Sequence, residues 1–151
     1  MTKTPAPTET PVPEGFGYSR VFGTRWNDND VYGHLNNTTH YAAMDTTITS
    51  WLIGIAGLRT DADDAMAVVV SSSCTYLASV SFPEGLVVGL RAGRLGTTSV
   101  TWELGLHAES SGALVATGQF VHVFVDPVGQ RPVPIPRLVR DAIESQLVMA
   151  G

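Results

Sequence analysis

The chain has 151 residues, of which 44% are hydrophobic and 15% charged, with a formal net charge of −5. That length suits one soluble globular domain with a proper core, and the excess of acid excludes a general nucleic-acid surface. A lone cysteine, Cys74, excludes an internal disulfide and fits a reducing, cytoplasmic setting; no apolar run is long enough to span a membrane, and the N-terminus lacks a signal-peptide core.

Residues 1–14 are rich in Thr, Pro and Glu and carry little apolar surface to bury, so they read as a disordered tail. Residues 15–151 read as a single domain. From Phe16 the pattern changes. Tyr18, Arg20, Phe22 and Thr24 alternate with Ser19, Val21, Gly23 and Arg25, which predicts a first strand within residues 17–26. A polar turn follows. Residues 38–56 then read as a helix, because Tyr41, Met44, Ile48, Trp51, Leu52 and Ile55 recur at three- and four-residue steps. Its many threonines are indifferent helix formers, so burial must support it. Gly57 suits its stop, and the acidic residues 61–64 read as a solvated loop.

Four strands are predicted next, at residues 66–82, 86–95, 99–108 and 113–126. The third of these alternates cleanly, with Val100, Trp102, Leu104 and Leu106 on one face. Their turn spacing predicts an antiparallel meander. Residues 127–136 read as an extended exit. Pro136 suits the start of a short helix that places Val139, Ile143 and Leu147 on one side. One long helix with mainly antiparallel strands is an α+β arrangement.

The turn between the first strand and the long helix carries the densest chemistry. It reads Asp28-Asn29-Asp30-Val31-Tyr32-Gly33-His34-Leu35-Asn36-Asn37. A helix start offers free N–H groups and a positive dipole end, and Asn36 and Asn37 suit its cap. A carboxylate facing that end can attack a carbonyl, or deprotonate a water against it, while the N–H groups hold the carbonyl oxygen. A plain Asx turn with a helix cap is the other reading.

The segment resembles the signature of the 4-hydroxybenzoyl-CoA thioesterase family, within the hotdog-fold acyl-CoA thioesterases. That signature is Asp-x-Asp-x-x-Gly-His-Val-Asn-Asn followed by a tyrosine, here Tyr41; only Leu35 departs from it. Weaker likenesses follow in order at Cys74-Thr75-Tyr76-Leu77, at Arg94-Leu95-Gly96-Thr97-Thr98-Ser99 and at Val123-Phe124-Val125-Asp126, with the exit Arg131-Pro132-Val133-Pro134-Ile135-Pro136. The resemblance spans about residues 17–145. It implies a curved five-stranded antiparallel sheet wrapped around a central helix, a short C-terminal helix, and assembly into a homodimer or homotetramer. It also implies hydrolysis of an acyl-CoA to a carboxylic acid and free coenzyme A, with no metal or cofactor.

On this likeness Asp30 matches the catalytic carboxylate, as nucleophile or general base. Asn37 matches the residue whose N–H polarises the thioester carbonyl. Gly33 lets the loop approach substrate closely. His34 either donates to the carbonyl or holds the loop. Asn36 and Tyr41 fall beside the substrate, and Asp28 is expected to be structural. Asp45, two turns into the helix, is the alternative base. Arg91, Arg94 and Ser99 are candidates for the phosphates of coenzyme A, which an acidic chain must meet with a local patch. Arg137 and Arg140 are weaker ones. His122, flanked by Phe120 and Phe124 on its face, reads as a packed histidine. His34 and His40 lack the companions of a zinc site.

Two other functions share such a fold. A hotdog hydratase or dehydratase acting on enoyl-CoA resembles Asp-x-Asn-Pro-x-His, whereas here no proline separates Asp30 from His34. A non-catalytic acyl-CoA-binding protein would have little use for Asp30.

Overall fold

The computed structural model describes residues 11–60 and 65–148. The expected tail therefore lies mostly outside the described residues, as does the expected acidic loop at 61–64. Five strands form one antiparallel sheet: β1 (Tyr18–Phe22), β2 (Met66–Tyr76), β3 (Leu86–Leu95), β4 (Ser99–Ala108) and β5 (Leu114–Val125). Their order is β1-β3-β4-β5-β2. The long helix α1 (Asn37–Gly54) packs across one face, and a short helix, α2 (Arg137–Gln146), follows the last strand. This is the hotdog arrangement.

The inner face of the sheet follows from alternation. Val100, Trp102, Leu104 and Leu106 of β4 are all buried, beside Leu86, Val88 and Leu90 of β3. Trp51 of α1 meets Trp102 ring to ring at 5.8 Å. Gly118 of β5 lies where a side chain would collide with Met44, so the missing Cβ lets the helix approach the sheet. On the outer face, Gly89 and Gly105 are paired across β3 and β4. The Phe16 ring covers both.

Three boundaries and one buried face differ from the sequence reading. β1 ends at Phe22, because the Thr24 hydroxyl donates to the Glu84 carbonyl at 2.8 Å and the chain then enters a 3-10 turn at Trp26–Asp28. β2 ends at Tyr76 rather than reaching residue 82. After it, Leu77 and Ala78 both donate to the Val115 carbonyl, and the Val80 carbonyl turns to the loop before α1. α1 ends at Gly54, and Ile55 lies outside it, half exposed. Finally, the buried face of α1 includes Thr39, His40 and Thr47. Their polar atoms find carbonyl partners at Asp28, Asn36 and Ala43, which removes the usual cost of burying them.

β2 is the edge of the sheet beyond β5. Met66, Val69, Val70 and Tyr76 on it are all exposed. At the start of β1, the Gly17 N–H donates to the Leu90 carbonyl at 3.1 Å. A Cβ on Gly17 would fall 1.9 Å from the Gln146 carbonyl oxygen, so the end of α2 rests on that glycine. Residues 11–14 run past Val87, His107 and Leu114.

Candidate active site

The turn before α1 is built by its own polar side chains. The Asp28 carboxylate accepts from the Arg25 backbone N–H at 2.8 Å and from its guanidinium at 3.0 Å. Hydrogen bonding to Arg25 holds that carboxyl below the usual range. The Asp28 carbonyl accepts from Asn36 N–H at 2.8 Å. Asp28 is thus structural, as its place in the motif implies.

Asp30 closes the next turn. Its N–H donates to the His34 carbonyl at 2.7 Å, and its carbonyl accepts from Gly33 N–H at 3.1 Å. One carboxylate oxygen, Oδ1, accepts from the N–H groups of Tyr32 at 2.8 Å and His34 at 3.2 Å. Oδ2 takes no hydrogen bond from the described residues. Gly33 has φ of 79°, the left-handed region that glycine enters without strain. The turn-closing reading and the catalytic reading of Asp30 are therefore compatible, each with its own oxygen.

The helix start repeats this economy. Asn36 is the cap: its Oδ1 accepts from the N–H and the hydroxyl of Thr38, both at 3.0 Å. A cap of this kind is worth about 1 kcal/mol. The Asn36 carbonyl accepts from Thr39 N–H at 2.9 Å. The N–H of Asn37, the first helical residue, has no acceptor among the described residues, as the geometry of a helix start dictates.

These groups meet at a cleft of about 310 Å³ lined by Asp30, His34, Leu35, Asn37 and His40, and across from them by Tyr76 and residues 77–80. Three residues read from the motif, Asp30, His34 and Asn37, come together there. Gly33 and Asn36 do not line the cleft; Gly33 turns the loop and Asn36 caps the helix. Tyr41 does not line the cleft; its ring lies 6.0 Å from that of Phe120.

His40 and Tyr76 line the cleft as well, and sequence reading had not placed them there. His40 lies one helical turn beyond Asn37, on the same side, and that spacing was the available signal. It is buried, and its Nδ1 lies 3.3 Å from the Asn36 carbonyl. A carbonyl only accepts, so the partner assigns the ring proton to Nδ1 and leaves Nε2 with a lone pair. Burial pushes the imidazole pKa down. The ring meets Tyr76 edge to face at 4.9 Å. The Tyr76 phenol is pushed up to about 12 by burial and by the neighbouring Cys74.

The remaining candidates lie elsewhere. Asp45 is exposed on α1 and lines a separate cavity of about 420 Å³ with Thr49, Leu52, Met66 and His122. His122 accepts at Nδ1 from the Trp102 indole N–H, as a packed histidine does. Arg91 lies on the outer face, where it pairs with Glu103 at 2.9 Å and stands over the Phe16 ring at 5.1 Å. Arg94 is exposed near the end of β3, and the Ser99 carbonyl closes the following turn on Gly96 N–H. Arg137 and Arg140 pair along α2 with Asp141 and Glu144. Among the described residues, no three His, Cys, Asp or Glu side chains converge as a metal site. No described helix is long and apolar enough to cross a membrane.

A family model described as the thioesterase-like superfamily matches residues 24–143. The chain belongs to the thioesterase-like superfamily. The matched span begins just before the Asp28-to-Asn37 turn and ends inside α2, so it holds the whole cleft. The PA5185 protein of Pseudomonas aeruginosa PAO1 shares the fold of this superfamily member with a TM-score of 0.86 and 44% identity, over 93% of this chain and 99% of that one. The PA2801 protein of the same species is 32% identical, with a TM-score of 0.78 over 85% of this chain and 98% of that one. A thioesterase of Thermus thermophilus, solved with coenzyme A and Zn, is 27% identical, with a TM-score of 0.71 over 88% of this chain and 96% of that one.

Proposed function

We propose that the protein is an acyl-CoA thioesterase, with Asp30 as the attacking or base carboxylate and the Asn37 N–H as the donor to the thioester carbonyl. The observation that carries this reading is the cleft itself. A carboxylate with one uncommitted oxygen and an unpartnered helix N–H line the same small cavity. Thioester hydrolysis asks for little more. The leaving thiol has a pKa of about 8.5 and departs as thiolate without a strong general acid. The oxyanion that develops on the carbonyl oxygen is stabilised by an N–H already fixed in place, and the positive end of α1 adds to it. Family membership and the coenzyme A complex of the Thermus thermophilus relative support the substrate class.

For the phosphates of coenzyme A, Arg94 is the better candidate of the two β3 arginines, since Arg91 is already paired with Glu103. The likeness of the Asp30 loop to 4-hydroxybenzoyl-CoA thioesterases makes aromatic acyl groups worth probing beside alkyl ones. A second copy of the chain is proposed to pair along β2. An eleven-residue edge strand with exposed Val69 and Val70 is otherwise an aggregation hazard. Tyr76 on that strand would bring the partner close to the cleft.

The deciding experiment measures free thiol released from acetyl-, octanoyl- and benzoyl-coenzyme A by the purified chain. Release from at least one is expected. Hydration of an enoyl-CoA without thiol release would replace this reading with the hydratase one, and binding without turnover would replace it with the non-catalytic one.

A further inference from the structure

The thioesterase reading leaves one proton without an acceptor. If Asp30 attacks the thioester carbon, a C–O bond forms, the C–S bond breaks and thiolate leaves. The product is a mixed anhydride on Asp30. Water must then add to that anhydride and lose a proton, while the acylated Asp30 cannot take it. No other carboxylate lines the cleft among the described residues.

Three titratable side chains remain there. Tyr76, from β2, is a phenol pushed up to about 12, so it is a donor rather than a base near neutral pH. His34, from the loop, is exposed, and no hydrogen bond to its ring is made by the described residues. His40, from α1, is buried with its Nδ1 anchored on the Asn36 carbonyl at 3.3 Å and its ring fixed edge to face on Tyr76. An oriented imidazole with one nitrogen held and the other holding a free lone pair is the arrangement a general base requires.

We propose that, with Asp30 as the nucleophile, His40 Nε2 is the base that deprotonates the hydrolytic water. This deepens the thioesterase reading and rests on it. The water O–H bond breaks toward Nε2, the new C–O bond forms, and the anhydride bond to Asp30 breaks. The carboxylic acid leaves, Asp30 is a carboxylate again, and His40 passes its proton to solvent. Burial favours the neutral ring, which keeps the base ready near pH 7. The polar groups that line the cleft with it are Asp30 and His34 from the loop, Tyr76 from β2, and Asn37 from its own helix.

The test uses the full chain with octanoyl- and benzoyl-coenzyme A in a rapid-quench experiment on wild type, His40→Gln and His40→Asn. Both variants should release about one thiol per site in a fast burst, then turn over roughly a hundredfold more slowly than wild type. Free imidazole should restore part of the rate. In wild type, the acid limb of kcat should coincide with the titration of the His40 ring followed by NMR. Variants within about threefold of wild type, with an unchanged acid limb, would overturn the proposal. So would loss of the burst together with turnover, or an acid limb that does not track His40; the last comparison needs no variant and stands even if the variants fold poorly. Wild type that releases no thiol overturns the thioesterase reading and this one with it, whereas active wild type with indifferent variants overturns this one alone.

Discussion

The indole N–H of Trp102 donates to Nδ1 of His122 at 2.9 Å, with both side chains buried against the helix-facing side of the sheet. That bond fixes the proton of the neutral imidazole on Nε2. Burial pushes the His122 pKa down to about 4, with a smaller opposing pull from Asp45.

Because the folded pKa lies below the unfolded value near 6.5, the unfolded chain binds the extra proton first as pH falls. Stability is therefore fully present above about pH 6.5, declines toward pH 4 and levels off below it. The linkage is on the order of 3 kcal/mol. Urea midpoints measured from pH 7 to pH 4 should fall accordingly. In His122→Gln, whose amide oxygen still accepts from Trp102, most of that slope should vanish; a slope as steep as wild type would place the acid sensitivity elsewhere, with buried His40 the next suspect.

Asp30→Asn should lower kcat by roughly two to four orders of magnitude while melting stays close to wild type. The amide oxygen can still accept from Tyr32 and His34 N–H, so the turn survives and the chemistry does not. Asp45→Asn, assayed beside it, separates the two carboxylates. Asp45 lies on the wall of the other cavity, and its loss should spare the chemical step. The reverse pattern would make Asp45, on the helix, the catalytic carboxylate.

Gly17→Ala should destabilise the fold by about 1–3 kcal/mol. The added Cβ would fall 1.9 Å from a backbone oxygen of α2, which cannot swing aside as a side chain would. Thermal melts would show the loss. Hydrogen exchange should locate it at residues 143–147, and an unchanged melting temperature would mean that α2 simply lifts away.

Val70→Lys on the exposed edge of β2 should convert the assembled species to monomer in light scattering and lower turnover with it. A charge on that edge opposes strand pairing. Monomeric wild type with full activity at assay concentration would show that the proposed pairing is not needed.

Much of the architecture was legible because β4 alternates cleanly and α1 carries a stripe of large apolar residues. Val100, Trp102, Leu104 and Leu106 alternate without interruption, and Met44, Ile48, Trp51 and Leu52 recur by helical steps. The end of β2 was not legible. Leu77, Ala78 and Val80 are as apolar as strand residues, but after Leu77 the ladder stops: Ala78 shares the Val115 carbonyl with Leu77, and the Val80 carbonyl goes to Leu35. The Asp30 side of the cleft could be read from one contiguous motif. Its far wall could not, since Tyr76 reaches His40 only through the path of β5 beside β2. Nor does a sequence reveal that Glu103 stands opposite Arg91 across β3 and β4.

The Asp30 loop is stitched to a distant stretch of chain. Leu35 N–H donates to the Val80 carbonyl at 2.7 Å, the Ser81 hydroxyl to the Gly33 carbonyl at 2.7 Å, and Phe82 N–H to the Asn29 side chain at 3.1 Å. The transplantable unit is therefore two segments, not one. Grafting the ten-residue motif alone onto another scaffold would leave its carbonyls and amide without counterparts, and the carboxylate would lose its aim. A graft that carries residues 77–82 along with the motif would keep the geometry, so any effort to move or reshape this chemistry has to treat the two stretches as one part.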